Sequence, residues 1–170
     1  RTSEWFKFRF DRITASDSAS ALDVNPYESV EKFREFFDRE GWDEGGCPIY
    51  ITSGGFDPLH VGHVRCILAT TDMADDDGGY VVVIVNGDGF LERKKGKPFM
   101  RAQERAEIIA GLRGVDAAVI WDDGTQTVIG AIEKLKPNYF TKGGDRAEPK
   151  DIPEWDICKE IGCKVIFNVG

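Results

Sequence analysis

The chain has two histidines, and they stand three residues apart, His60 and His63, within Gly54-Gly55-Phe56-Asp57-Pro58-Leu59-His60-Val61-Gly62-His63. If a helix starts near His60, that spacing projects both imidazoles to one side of its first turn, where both can donate hydrogen bonds to one anion. Glycines just upstream let backbone amides approach that anion closely. The helix adds unpaired N–H groups and the positive end of its dipole. Gly62 carries no side chain to crowd a nucleotide lying across the turn. The guest that fits is a phosphate. A metal pair fits less well, because the glycines, the spacing and the strand-to-helix address together favour an anion.

Further candidates are scattered downstream. Lys94, Lys95 and Lys97, in Glu92-Arg93-Lys94-Lys95-Gly96-Lys97-Pro98, are the densest basic cluster in a chain with 30 acidic and 22 basic residues and a net charge of −8. Taken alone they read as a solvated loop. Arg105, taken alone, reads as a partner in a helix-surface ion pair. Lys142-Gly143-Gly144-Asp145 offers glycines for close backbone approach and a carboxylate able to accept from ribose hydroxyls. The acidic balance argues against a general nucleic-acid or anionic-membrane surface. Cys47, Cys66, Cys158 and Cys163 form neither a Cys-x-x-Cys pair nor a disulfide framework. No apolar run is long enough to span a membrane and no export signal opens the sequence, so a cytoplasmic location is expected.

These residues need elements to hold them. Residues 48–53 read as a strand stopped by Gly54-Gly55, and 61–74 as a helix with Val61, Val64, Ile67 and Leu68 facing inward. The β-branched run 80–86 reads as a strand buried on both faces. A helix over 101–112 with Ile108, Ile109 and Leu112 inward, and a strand over 117–121, follow. Then come a helix over 125–136 closed by Pro137, a short strand over 139–142, a helix over 153–161 and a strand over 164–169. Alternating strands and helices with short connections predict an α/β fold with a doubly wound five-stranded parallel sheet. Ligands of such sheets sit at the strands' carboxyl ends, where these glycine breaks fall. The first 44 residues differ. A helix over 29–39 with Val30, Phe33 and Phe37 on one face reads as a helical N-terminal appendage packing that face on the main domain of residues 45–170.

The Gly-x-Phe-Asp-x-x-His-x-Gly-His turn, followed by Asn86-Gly87-Asp88, the basic segment, Arg105 and Lys142-Gly143-Gly144-Asp145, resembles the cytidylyltransferase-like nucleotidyltransferases. Within them it looks closest to heptose-phosphate adenylyltransferases, with glycerol-phosphate cytidylyltransferases sharing the frame. The resemblance covers about residues 48–170. It implies a Rossmann-like sheet of strand order 3-2-1-4-5. It also implies transfer of a nucleoside monophosphate from ATP or CTP to a small sugar or polyol phosphate, with release of pyrophosphate. His60 and His63 would hold the α-phosphate and the bridging oxygen. Lys94 and Lys97 would bridge the two phosphorylated reactants, and Arg105 would reach back to the triphosphate. Ser53, Gly54, Gly55, Phe56, Asp57, Gly62, Lys95, Lys142, Gly143, Gly144 and Asp145 would line the nucleotide. Mg²⁺ is implied, held mainly by nucleotide phosphates and water, with no protein metal site.

Three further expectations complete the reading. The family's Ser/Thr-rich closing loop would lie past Gly170 and has no counterpart in these 170 residues. A nucleotide-binding sensor without turnover is the rival in a different class, and a homodimer is compatible with the frame. Arg12-Ile13-Thr14-Ala15-Ser16 and Asn25-Pro26-Tyr27 faintly resemble the opening of lambda-exonuclease-type recombination nucleases, but the acidic and Lys residues that such enzymes need do not follow.

Overall fold

A computed structural model describes residues 29–39, 46–144 and 147–170. The motifs at 12–16 and 25–27, and Asp145, lie outside the described residues. Five strands, β1 (Ile49–Gly54), β2 (Tyr80–Asn86), β3 (Ala117–Trp121), β4 (Tyr139–Thr141) and β5 (Lys164–Ile166), form one parallel sheet in the order β3-β2-β1-β4-β5. This is the expected order. Ile51 of β1 is in register with Val82 on one side and Phe140 on the other. The chain therefore reverses its direction of travel across the sheet between β1 and β4, which opens a crevice at their carboxyl ends.

The sheet separates two apolar clusters. All seven residues of β2 are buried, as its unbroken β-branched run requires of a central parallel strand. Tyr80, Val82 and Ile84 face one cluster, and Val81, Val83 and Val85 the other. Helix α1 (Val30–Arg39) brings Val30, Phe33 and Phe37 into the first cluster, so its apolar face packs on the sheet. Phe37 is fully buried, which stabilises the docking by about 1.5–3 kcal/mol. Arg34 donates to the carbonyl of Leu135 at 2.8 Å, and Glu31 pairs with Lys134, so α1 is tied to the end of α5 (Ile129–Leu135).

Helix α2 (Val61–Asp77) and helix α4 (Ala102–Ala110) cover the opposite face. Their buried stripes differ from the expected ones. On α2, Val61 is exposed while Thr70 and Thr71 are buried, each hydroxyl donating to a carbonyl one turn back, of Cys66 and Leu68 respectively. On α4, Ile108 is exposed and Arg105 occupies the buried stripe. Hydrogen bonding let polar side chains take positions that apolar periodicity assigned to Val and Ile.

Two local differences bear on the site. The basic stretch forms the last turn of a helix, α3 (Asp88–Lys95), instead of a loop. An acid in its first turn and Arg93, Lys94 and Lys95 in its last match the helix dipole. Conversely, the helix expected from Thr125 begins only at Ile129, because Asp122 and Asp123 capture the amides of Gly124 and Thr125 at 3.1 and 3.0 Å and hold a turn. The chain closes through a 3₁₀ turn (Pro149–Asp151) and helix α6 (Trp155–Ile161) before β5. Among the described residues no helix is long and apolar enough to cross a membrane.

Candidate active site

A cavity of about 880 Å³ opens at the carboxyl end of the sheet. That volume suits a ligand of nucleotide size. Ser53, Gly54, Gly55, Phe56, His60, Gly62 and His63 line one side, Lys142, Gly143 and Gly144 leave β4 on another, and Lys94 reaches in from α3. Eleven of the predicted residues thus share one cleft, although they come from three separate stretches of chain.

The imidazole pair is built by local hydrogen bonds. His60 caps α2: its Nδ1 accepts from the amide of Gly62 at 3.0 Å, and its own amide donates to His63 Nδ1 at 3.3 Å. With both Nδ1 atoms acting as acceptors, the network assigns the neutral-ring proton to Nε2 in each case. The rings stack with centroids 3.7 Å apart, and the Phe56 ring meets His63 edge-on at 5.2 Å. A methyl group at Gly62 would stand 2.9 Å from His60 Cε1. Glycine at this position makes room for an imidazole, a role distinct from making room for a nucleotide.

Gly54 and Gly55 also have packing reasons. A Cβ at Gly54 would lie 3.1 Å from the Phe56 ring, and one at Gly55 would lie 3.0 Å from Leu91. Phe56 adopts a left-handed backbone conformation with φ of 52°, which turns the chain sharply toward α2.

Asp57 faces away from the cavity. Its carboxylate, 1% exposed, accepts from the amides of Phe99 and Met100 at 2.7 and 2.8 Å and pairs with Lys95 Nζ at 2.6 Å. Lys95 donates a second bond to the Asp57 carbonyl at 2.8 Å. Burial raises the carboxyl pKa, but the Lys95 ammonium and the two amides together hold it below the ordinary value. The structure therefore makes Asp57 and Lys95 a clasp that fastens the 96–100 loop to the histidine turn, and neither lines the cleft.

Arg105 requires a larger correction. Its side chain is fully buried, with Nε donating to Met100 O at 2.9 Å and Nη1 to Gly55 O and Asn86 O at 2.7 and 2.6 Å. Nη2 pairs with Asp88 Oδ1 at 2.9 Å, and the same oxygen accepts from the amide of Ala102. The guanidinium braces the ends of β1 and β2 from behind and is not directed into the cleft. Lys97 is exposed and outside the lining, so of the three clustered lysines Lys94 alone borders the cavity. Arg93 fixes the neighbouring turn by donating to Asp122 at 2.6 Å and Gln126 at 2.8 Å. Burial raises the Asp122 pKa, but Arg93 and the amides of Gly124 and Phe90 hold it below the ordinary carboxylate value.

Several lining residues carried no signal in the sequence. Arg65 and Cys66 come from α2, Gln126 and Thr127 from the turn before α5, and Asp151 and Glu154 from the approach to α6. They are isolated residues in unremarkable stretches, and chain order alone does not show that their elements converge.

Residues 51–165 match the family model described as cytidylyltransferase-like. The "Bifunctional protein HldE" of Gluconobacter oxydans is 35% identical over 130 residues, covering 75% of this chain and 26% of that protein. Its counterpart in Hyphomonas neptunium is 38% identical over 130 residues, covering 75% of this chain and 25% of that protein. The chain thus spans about a quarter of the length of these curated relatives. Among solved structures, the lipopolysaccharide core biosynthesis protein from Thermoplasma volcanium shares the fold, with a TM-score of 0.57 at 22% identity over 72% of this chain and 96% of that one. The matching sheet order, the histidine turn at the switch point and the family match together make this chain a member of the cytidylyltransferase-like nucleotidyltransferase family.

Proposed function

We propose that the chain transfers a nucleoside monophosphate from a nucleoside triphosphate to a small phosphorylated acceptor, releasing pyrophosphate. One observation carries this reading: the two imidazoles of the histidine turn stack with centroids 3.7 Å apart at the α2 terminus, beside a cleft that Gly54, Gly55, Lys94 and Lys142 also line. A phosphate oxygen of the acceptor attacks the α-phosphorus in line. A new P–O bond forms as the bond to the bridging oxygen breaks, and pyrophosphate departs with that electron pair. The two imidazoles donate to the α-phosphate and the bridging oxygen, where charge grows. Donors of this kind contribute on the order of a hundred- to thousand-fold each in rate.

Lys94 and Lys142 supply positive charge beside the reacting phosphates, and Gly143-Gly144 leave open backbone for the nucleoside end. Arg105, Asp88, Asp57 and Lys95 act as positioning residues, since they hold the strand ends and the turn without entering the cleft. Mg²⁺ bound to the triphosphate would neutralise charge on the leaving group. Among the described residues no cluster of three carboxylate, thiol or imidazole ligands could hold it, so the donor set suits an ion carried by phosphates and water. The Lys-Gly-Gly-Asp motif and its resemblance to heptose-phosphate adenylyltransferases favour ATP over CTP.

The test is pyrophosphate release from ATP or CTP in the presence of a panel of sugar and polyol phosphates. Release that depends on both substrates supports transfer. Nucleotide binding with no release for any acceptor refutes it in favour of a sensor.

A further inference from the structure

The end of α6 is a Schellman turn. Gly162 sits in the left-handed region with φ of 78°, the amide of Cys163 donates to Cys158 O at 2.8 Å, and that of Gly162 donates to Lys159 O at 3.4 Å. Such a turn brings the side chains at its two ends into contact. Here both ends are cysteines. Cys158 is 0% and Cys163 5% exposed, and both belong to the first apolar cluster. The S–H of Cys163 donates to the Cys158 sulfur and holds the Cys158 thiol below its ordinary pKa against the opposing effect of burial. That same bond, and then burial, push Cys163 up. The pair is therefore asymmetric, with one sulfur suited to attack and the other kept as a thiol beside it. The backbone bond between the two residues draws their α-carbons together, as a disulfide requires.

We propose that Cys158 and Cys163 are a peroxide-responsive dithiol, which closes to an intramolecular disulfide and staples the end of α6 to the start of β5. The Cys158 sulfur attacks one oxygen of hydrogen peroxide and the O–O bond breaks. The departing hydroxide takes the Cys158 proton and leaves as water, and Cys158 becomes a sulfenic acid. The Cys163 sulfur then attacks the Cys158 sulfur, the S–O bond breaks, and hydroxide leaves with the Cys163 proton as a second water. Two thiols are oxidised and one peroxide is reduced. The oxidant is small, and the elements over the pair are peripheral: α6 has seven residues, and β5 is a three-residue strand at the edge of the sheet. Such elements open locally at low cost. The staple also bears on the cleft. The amide of Lys142 donates to Ile166 O of β5 at 2.8 Å, and its carbonyl accepts from the amide of Val169 at 2.9 Å. Glu154, just before α6, accepts from the amide of Val128 at 3.1 Å. Joining α6 to β5 fastens the edge of the sheet from which the Lys142-Gly143-Gly144 turn hangs.

The test treats the fully reduced protein with hydrogen peroxide at neutral pH, blocks remaining thiols by alkylation and maps the peptides by mass. Cys47, ahead of β1, and Cys66, on α2, are the internal comparisons. The expected product is a bridge between Cys158 and Cys163, at least tenfold more abundant than any other pairing, with Cys47 and Cys66 still open to alkylation. The bridged protein should melt about 4–8 °C higher than the reduced one, and dithiothreitol should return it to the starting value. Cys163→Ser should abolish the shift and let a sulfenic acid at Cys158 be trapped with dimedone, whereas Cys158→Ser should leave Cys163 unlabelled. Oxidation of Cys47 or Cys66 without the bridge overturns the proposal, as does a chain left wholly reduced. A bridge that leaves the melting temperature unchanged or lower overturns the staple. Equal dimedone labelling of the two variants overturns the division of roles. If either serine variant fails to fold, the peptide map and melting of the wild type decide alone. None of these readouts depends on catalysis, so failure of the transfer reading would leave the dithiol standing.

Discussion

Two groups of polar side chains meet at the ends of β1 and β2, and they differ in how their hydrogen bonds are spent. Behind the strand ends, Arg105 makes four bonds to Gly55, Asn86, Met100 and Asp88, while Asp57 is closed by Lys95 and two amides. In front, the stacked imidazoles border the cleft, and Glu154 and Asn86 each hold an unpartnered oxygen. The first group is scaffold and the second is available to a ligand. Side chains with the same chemistry thus serve opposite purposes, depending on whether the fold satisfies them.

Arg105→Leu tests the contrast most severely. It leaves three carbonyls without their donor and the partly exposed Asp88 without its cation, and should cost about 3 kcal/mol of stability or more, read from urea unfolding, at about 1–3 kcal/mol for each buried acceptor left unsatisfied. Loss of activity with unchanged stability would put the guanidinium at the substrate after all. His63→Ala should do the reverse, lowering turnover roughly a hundred- to thousand-fold with the melting temperature almost unmoved. Turnover within threefold of wild type would remove His63 from the chemistry.

Gly62→Ala sits between the two. The added methyl, 2.9 Å from His60, displaces the ring and should lower kcat by about tenfold to a hundredfold, with little effect on unfolding. Among the lysines, Lys94→Ala should reduce kcat/KM by about tenfold, worth about 1.4 kcal/mol, and Lys97→Ala should stay within about threefold. An equal loss at both would mean that the 96–100 loop closes onto the cleft.

The smallest effect concerns acid. The Asp57 carboxyl is held below its ordinary value in the folded state, so its contribution is fully present above about pH 4, the unfolded carboxylate range, and disappears as pH falls through the folded value. Melting temperatures from pH 7 to pH 3 should therefore fall more for wild type than for Asp57→Asn, with the two curves converging at the acid end. Parallel curves would show that the clasp contributes nothing.

Much of the fold was legible in the sequence, because β-branched runs and glycine stops are local. The run at β2 and the breaks after β1, β2 and β4 fall where expected, and the order of strands is the one that the family resemblance implies. Helix α3 was missed because its apolar content is only Phe90 and Leu91, and the late start of α5 because Asp122 and Asp123 are engaged by their own turn.

By itself the sequence determined the chemistry available: a pair of imidazoles at a helix start, glycines before them, and a second glycine turn on a strand that parallel winding brings alongside. It could do so because three-residue spacing on a helix and the address of strand ends are properties of the backbone alone. Which cations face the cleft was decided only by tertiary structure. Arg105, Lys95 and Lys94 look interchangeable as charges along a chain, yet one braces carbonyls, one pairs with a buried aspartate and one borders the cavity. Glu154 shows the same limit, since its value lies in an oxygen that packing leaves unpaired. A charge becomes scaffold or site according to the partners that folding brings to it from distant parts of the chain, and those partners are not written beside it.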